Sequence, residues 1–236
     1  MTDRQRTLLV TGASRGIGRA VCDRLLRESC RIIGVARHPP RDEMAAPDLI
    51  LETMDLSRLD QLPAALRDLH KRFPAIDGII CNAGQGRFGS LEEFSPSQIR
   101  ELIDLNLTGQ ILLVREFLPT LKAGGKGNII FIGSESALSG GRKGAVYSAT
   151  KFGLRGLSQS LREECAGSGV RIGIINPGMV QSDFFNGQGF RPGDQPDAHL
   201  LPSDVAEAVW LMLSARSGAV IDEINLSPQK KVIFPE

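Results

Sequence analysis

A single tyrosine occurs among the 236 residues, Tyr147, in the run Tyr147-Ser148-Ala149-Thr150-Lys151. On a helix, positions i and i+4 share a face, so the phenol and the ammonium project side by side. That pairing suits acid–base work, because a nearby cation stabilises a phenolate and lowers a pKa that is otherwise about 10. A second constellation, Thr11-Gly12-Ala13-Ser14-Arg15-Gly16-Ile17-Gly18, follows an apolar run and opens a helical one. Gly12 permits a tight turn, Gly16 lets backbone approach a pyrophosphate, and Gly18 lets helix pack closely on strand. The helix amino terminus then offers N–H groups to phosphates. The spacing is G-x-x-x-G-x-G rather than the commoner G-x-G-x-x-G. At the end of the next apolar run, where an acidic residue would bind the adenosine ribose hydroxyls, the chain has Ala36-Arg37. No carboxylate repels a 2′-phosphate there, and Arg37, Arg15 and Ser14 are suited to clamp one, so the expected cofactor is NADP(H) rather than NAD(H).

Such residues need a frame that holds them at one end of a sheet. Short apolar runs alternate with helical patterns along the chain, the mark of repeated strand–helix units. Strands are expected at 7–11, 31–36, 49–54, 78–81, 128–133, 170–176 and 220–226, and helices at 17–28, 59–73, 96–121, 146–166 and 203–214. Ser203 is expected to cap the last helix, with Asp204 favouring its positive end. No composition break or repeat divides the chain. The expected fold is therefore one α/β domain over 1–236, a Rossmann-type, doubly wound sheet of seven parallel strands with helices on both faces. The stretch 183–201, rich in Gly, Pro and Asp, follows the sixth strand and reads as a lid.

Composition excludes several partners. The 28 basic and 27 acidic side chains leave a net charge of +1, so no strong field attracts nucleic acid or an anionic membrane. Cys22, Cys30, Cys81 and Cys165 form no C-x-x-C pair, and His38, His70 and His199 share no motif, so no metal site is expected. Read as small buried hydrophobes, the cysteines point to a reducing compartment. The amino terminus is charged, the apolar run after it is too short for a signal peptide, and no later segment approaches a membrane span. A cytoplasmic location is expected.

Six motifs in order give the chain a family likeness over essentially its whole length. They are the glycine turn, Asp55-Leu56, Asn82-Ala83-Gly84, Asn106, Ser134 thirteen residues before Tyr147 with Lys151 after it, and Asn176-Pro177-Gly178 followed by Ser182. On these residues the chain resembles the classical short-chain dehydrogenases/reductases. The resemblance implies a catalytic tetrad of Asn106, Ser134, Tyr147 and Lys151. Tyr147 would be the general acid, lowered by Lys151 and by the oxidised nicotinamide; Ser134 would orient the substrate oxygen. Lys151 would also hold the nicotinamide ribose, and Asn106 would anchor a proton relay through its main chain and a water. The adenine side would be met by Asp55, Leu56, Asn82, Ala83 and Gly84, and the nicotinamide by Pro177, Gly178, Val180 and Ser182. Where the family often has a second serine, this chain has Glu135, an unusual potential charge near the reacting centre.

The activity this implies is NADPH-dependent reduction of a small keto compound, or oxidation of the matching alcohol, in a homodimer or homotetramer built through the helices at 96–121 and 146–166. The alternative is a non-catalytic NADP(H)-binding sensor, against which the intact tetrad argues. Phe184, Phe185 and Phe190 are candidates for an apolar substrate wall, and Arg142, Arg191 and His199 are candidates to read a carboxylate or phosphate. Keto or hydroxy acids, β-ketoacyl thioesters, steroid-like ketones and small diketones all remain open. The carboxyl end, 221–228, resembles the reductase subgroup acting on small hydroxy or keto compounds.

Overall fold

In the computed structural model, residues 5–39 and 46–235 are described, so the charged amino terminus falls partly outside the described residues. The chain runs β1 (Thr7–Thr11), α1 (Gly16–Arg27), β2 (Arg31–Ala36), β3 (Leu49–Thr53), α2 (Leu62–Arg72), β4 (Gly78–Cys81), α3 (Pro96–Ile103), α4 (Gly109–Ala123) and β5 (Gly127–Ile132). It continues through α5 (Ala145–Cys165), β6 (Val170–Pro177), β7 (Phe190–Pro192), α6 (Pro202–Ser214), β8 (Glu223–Leu226) and β9 (Ile233–Pro235). Seven strands form one sheet in the order β3-β2-β1-β4-β5-β6-β8. Every pairing in it is parallel. The order reverses between β1 and β4, and that switch point opens a crevice at the carboxyl ends of the strands.

Strand alternation divides the core into two layers. Leu9, Ile79 and Phe131 face α2, α4 and α5, where Leu66, Phe117 and Leu154 meet them. Leu8, Ile32 and Ile130 face α1 and α6, where Leu25, Val209 and Met212 close the other side. All four cysteines are buried and unpaired. Among the described residues, no helix is long and apolar enough to cross a membrane.

Several elements differ from the sequence expectation. The helix expected from 59 begins at Leu62, because Ser57 is tied back to Asp55 by two hydrogen bonds that hold a turn ahead of it. The long helix expected at 96–121 is interrupted by a π-helical turn, Asp104–Thr108, which joins α3 to α4 and carries Asn106. Such a single wide turn is common at functional sites. Leu201, not Ser203, stands at the cap of the last helix: Pro202 takes the first helical position and the Asp204 carboxylate reaches back to accept the Leu201 N–H at 2.8 Å. The seventh sheet strand is shorter than expected, covering Glu223–Leu226 only. The 183–201 stretch is not irregular throughout. Within it β7 pairs antiparallel with β9 at the carboxyl end of the chain, with Phe190 opposite Pro235 and Pro192 opposite Ile233.

Candidate active site

The crevice is a cleft of about 1080 Å³, running from Arg37 at the end of β2 to Tyr147 and the 183–201 segment. Its floor is set by β1. Gly12 has φ +68, which a residue with a Cβ rarely adopts, and a Cβ on Gly18 would stand 2.1 Å from the Gly12 carbonyl oxygen. Both glycines are therefore demanded by close backbone packing. Gly16 differs: beside its φ of +56, a Cβ there would meet only Ser182, at 3.7 Å, so the space above it is open. The first turn of α1 carries no acidic residue, and its capping residue, Arg15, makes no side-chain cap. An uncapped helix amino terminus under an open glycine turn leaves N–H groups for an anion.

Asn82 fastens this turn to the neighbouring strand. Its side-chain amide donates to the Thr11 carbonyl at 2.9 Å and the Gly12 carbonyl at 3.3 Å. The Asn82 and Ala83 N–H groups both donate to the Thr11 hydroxyl at 3.0 Å. Asn82 is thus a structural clip for the glycine turn, while Ala83 and Gly84 line the cleft with Leu56. Asp55 stands outside the lining. Burial alone pushes its carboxyl up, but hydrogen bonds from Ser57, with Arg37 and Arg58 nearby, hold it below its ordinary value. Ser14, Ile17 and exposed Arg37 line the end of the cleft nearest β2. Arg15 reaches across the cleft to Asp183 at 3.6 Å, a largely exposed pair worth little by itself.

At the other end, Tyr147 and Lys151 lie on the buried face of α5, each 6% exposed. The Lys151 ammonium donates to the Ile132 carbonyl at 2.9 Å and lies 5.7 Å from the Tyr147 ring centroid. Ser134 lines the same cleft, and its hydroxyl favours ionisation of the phenol. It also accepts the Ser136 N–H at 3.1 Å, which fixes Ser134 as the cap of a short turn at the end of β5. The pKa directions run opposite to the sequence expectation of a depressed phenol. Burial pushes Tyr147 up to about 12, with Ser134 opposing and Glu135 adding to the rise. Burial likewise pushes Lys151 down to about 8. Desolvation penalises both charged forms in the protein alone.

Asn106 lies behind this pair, fully buried. Its side-chain oxygen accepts the Gln85 N–H at 2.9 Å, and its amide donates to the Gln85 carbonyl at 2.9 Å and to the Thr150 hydroxyl at 3.3 Å. It thereby ties the loop after β4 to α5. Pro177, Gly178, Val180 and Ser182 line the cleft beyond β6, where Ser182 caps a short turn, Asp183–Phe185.

The expected apolar wall is present and larger than expected. Phe184 lies 5.9 Å from the Tyr147 ring, Phe185 contacts Phe184, and Phe190 joins them through Phe185. Phe88, which no sequence motif marked, stands 5.2 Å from Tyr147 and edge-on to Phe190 at 4.9 Å. Of the candidate anion readers, Arg142 lines the cleft, whereas Arg191 and His199 do not. Arg191 is engaged by Asp194 and lies over the Phe234 ring, and His199 is hydrogen-bonded to the Gly193 carbonyl at 2.9 Å. Glu135 does line the cleft, paired at 2.9 Å with Lys231, which no motif or spacing places here. Among the described residues, no cluster of three His, Cys, Asp or Glu side chains is arranged to hold a metal ion.

Comparison with known proteins agrees with this geometry. Residues 6–189 match the family model for short chain dehydrogenases. An uncharacterized oxidoreductase of Staphylococcus epidermidis is 28% identical over 95% of this chain and 98% of its own. An alcohol dehydrogenase from the archaeon Thermococcus sibiricus, solved with 5-hydroxy-NADP, superposes with a TM-score of 0.85 at 28% identity, covering 97% of this chain and 99% of that one. The closed form of a serine dehydrogenase complexed with NADP+ gives 0.84 at 29% identity, covering 93% and 94%. With the family model matching well over half of its length, a seven-stranded parallel sheet, and the glycine turn facing the tyrosine–lysine pair across one cleft, the chain belongs to the short-chain dehydrogenase family.

Proposed function

We propose that this chain is an NADPH-dependent carbonyl reductase, working in reverse as an alcohol dehydrogenase, in which one domain spanning 1–236 carries both cofactor and substrate sites. The observation that carries this reading is the buried Tyr147 phenol, with Ser134 beside it in the lining and Lys151 behind it, on the wall of a cleft whose far end is an open glycine turn. The turn fits a pyrophosphate: Gly16 leaves space above it and the first turn of α1 has neither cap nor carboxylate to compete. Arg37 and Ser14, at the ribose end with no acidic neighbour on Ala36, suit a 2′-phosphate. Both the alcohol dehydrogenase and the serine dehydrogenase named above were solved with NADP-type dinucleotides.

NADPH, when bound, supplies the hydride. As the substrate carbon gains that hydride, its oxygen takes the C=O electron pair and then the Tyr147 proton, leaving an alcohol and a phenolate that regains its proton from solvent. Ser134 donates to the same oxygen, and hydrogen bonds that strengthen as charge develops there lower the barrier more than they tighten substrate binding. Lys151 offsets the phenolate. Asn106 holds the loop after β4 and α5 in one arrangement, so Tyr147 is fixed relative to Gly84. The buried free cysteines fit a reducing compartment, and the cytoplasm is the proposed location. Oligomerisation is proposed through α4 and α5.

Removing the Tyr147 hydroxyl tests the reading. Tyr147→Phe should lower kcat for carbonyl reduction about 1000-fold while NADPH affinity, measured by fluorescence, stays within about twofold. Near-normal turnover in this variant would remove Tyr147 from the chemistry, and binding without turnover in the unmodified chain would favour the sensor. Arg37→Asp should shift preference from NADPH toward NADH by about 100-fold in kcat/KM; an unchanged ratio would exclude Arg37 from reading the 2′-phosphate.

A further inference from the structure

The substrate end of the cleft is apolar on one side and carries the Glu135 carboxylate beside the reacting centre. Phe88 and Phe184 pack around Tyr147, Phe190 stands edge-on to Phe88, and Ile233 of β9 lines the same space. The residue next to Ser134 is Glu135. Its carboxylate oxygen lies 3.7 Å from where a Cβ on Gly178 would be, so it faces the segment after β6 as well as the cleft. The cation that reaches it, Lys231 at 2.9 Å, is already engaged by that carboxylate. Lys231 is also held in place: β9 follows it and pairs with β7, and Val232 accepts the Gly193 N–H at 3.0 Å. Arg191 and His199 face Asp194 and Gly193 instead of the cleft. Arg142 and Lys143 line it from the exposed loop that precedes α5.

We propose that this cleft takes a neutral ketone, or the matching secondary alcohol, carrying an aromatic group on the reacting carbon, and that the Glu135–Lys231 pair rejects substrates with a carboxylate beside the carbonyl. The proposal rests on the carbonyl-reductase reading above and names its substrate class. An aryl group gains both burial and ring-to-ring contact against Phe88, Phe184 and Phe190. A carboxylate on the same carbon loses water among those rings and faces Glu135, a like charge whose own cation, Lys231, is already engaged. Keto acids and hydroxy acids, open on the sequence alone, are thereby disfavoured.

Two probes that share ring and ketone and differ in charge read this directly: methyl phenylglyoxylate and phenylglyoxylate, each followed by NADPH consumption with the full chain. The ester should exceed the acid by about 100-fold in kcat/KM. Glu135→Gln should raise the acid selectively and narrow that ratio about tenfold. Methyl pyruvate, which keeps the charge state and lacks the ring, should fall about tenfold below methyl phenylglyoxylate. An acid turned over as well as its ester, a ratio indifferent to Glu135→Gln, or equal turnover of methyl pyruvate overturns the proposal. If NADPH binds and none of the ketones is reduced, it is the reductase reading that has failed. Calorimetry on the NADPH-loaded chain then decides selectivity by itself: tighter binding of the ester than of the acid sustains it, and equal or weaker binding refutes it.

Discussion

Burial makes the charged forms of both Tyr147 and Lys151 harder to reach than in water. With its phenol pushed up to about 12, Tyr147 holds its proton more firmly than a free tyrosine, whose reference value is 10.0. The folded state therefore binds more protons than the unfolded chain between those values, and this group's contribution to stability falls as pH rises through that window. Because no other tyrosine is present, the tyrosinate absorbance change of the folded protein belongs to this residue alone. In the protein without cofactor it should appear near pH 12, and NADP+ should move it downward by at least one unit, since the nicotinamide cation favours the phenolate. A titration midpoint unmoved by NADP+ would mean that the cofactor's charge does not reach the phenol.

At the scale of elements, the β1–turn–α1 unit separates two kinds of glycine. A methyl on Gly18 meets backbone, the Gly12 carbonyl at 2.1 Å, which no side-chain rotation relieves. Gly18→Ala should cost about 3 kcal/mol or more, read as a lower denaturant midpoint, and should weaken cofactor binding through the displaced helix. A methyl on Gly16 meets only Ser182, at 3.7 Å, so Gly16→Ala should cost about 1–2 kcal/mol of backbone strain while reducing NADPH affinity at least tenfold. Equal stability losses in the two variants would contradict this division. The π turn that carries Asn106 belongs to the same scale. Apolar periodicity runs through it from α3 into α4, so the sequence pattern resembles one unbroken helix, and only the tie to Gln85 and Thr150 shows why the wider turn is there.

For the whole molecule, both helical layers leave apolar side chains uncovered, Leu211 on α6 being 56% exposed. Phe152 on α5 is 44% exposed and Ile111 on α4 is 38% exposed, an apolar surface on the layer proposed to join copies of the chain. Phe152→Glu should lower the mass measured by light scattering, from dimer or tetramer toward monomer, with the fold retained by circular dichroism. An unchanged mass would place the interface elsewhere. The β7–β9 pair belongs to this scale too, since it joins the 183–201 segment to the carboxyl end and so builds the substrate wall from two distant parts of the chain.

What the sequence by itself determined was local: the seven strands of the main sheet and most of the helices, the glycine turn, the tyrosine and lysine four residues apart, and the order of motifs that carries the family resemblance. These rest on periodicity and short spacings, which survive without knowledge of distant neighbours. What tertiary structure decided was which side chains meet across the cleft. Lys231 and Glu135 are 96 residues apart in sequence, Phe88 reaches Tyr147 from a loop with no motif, Arg191 turns to Asp194 and the Phe234 ring, and His199 turns to Gly193. The direction of the Tyr147 and Lys151 shifts was also hidden, because spacing reveals that two charges are near each other but not how much water the fold removes from both.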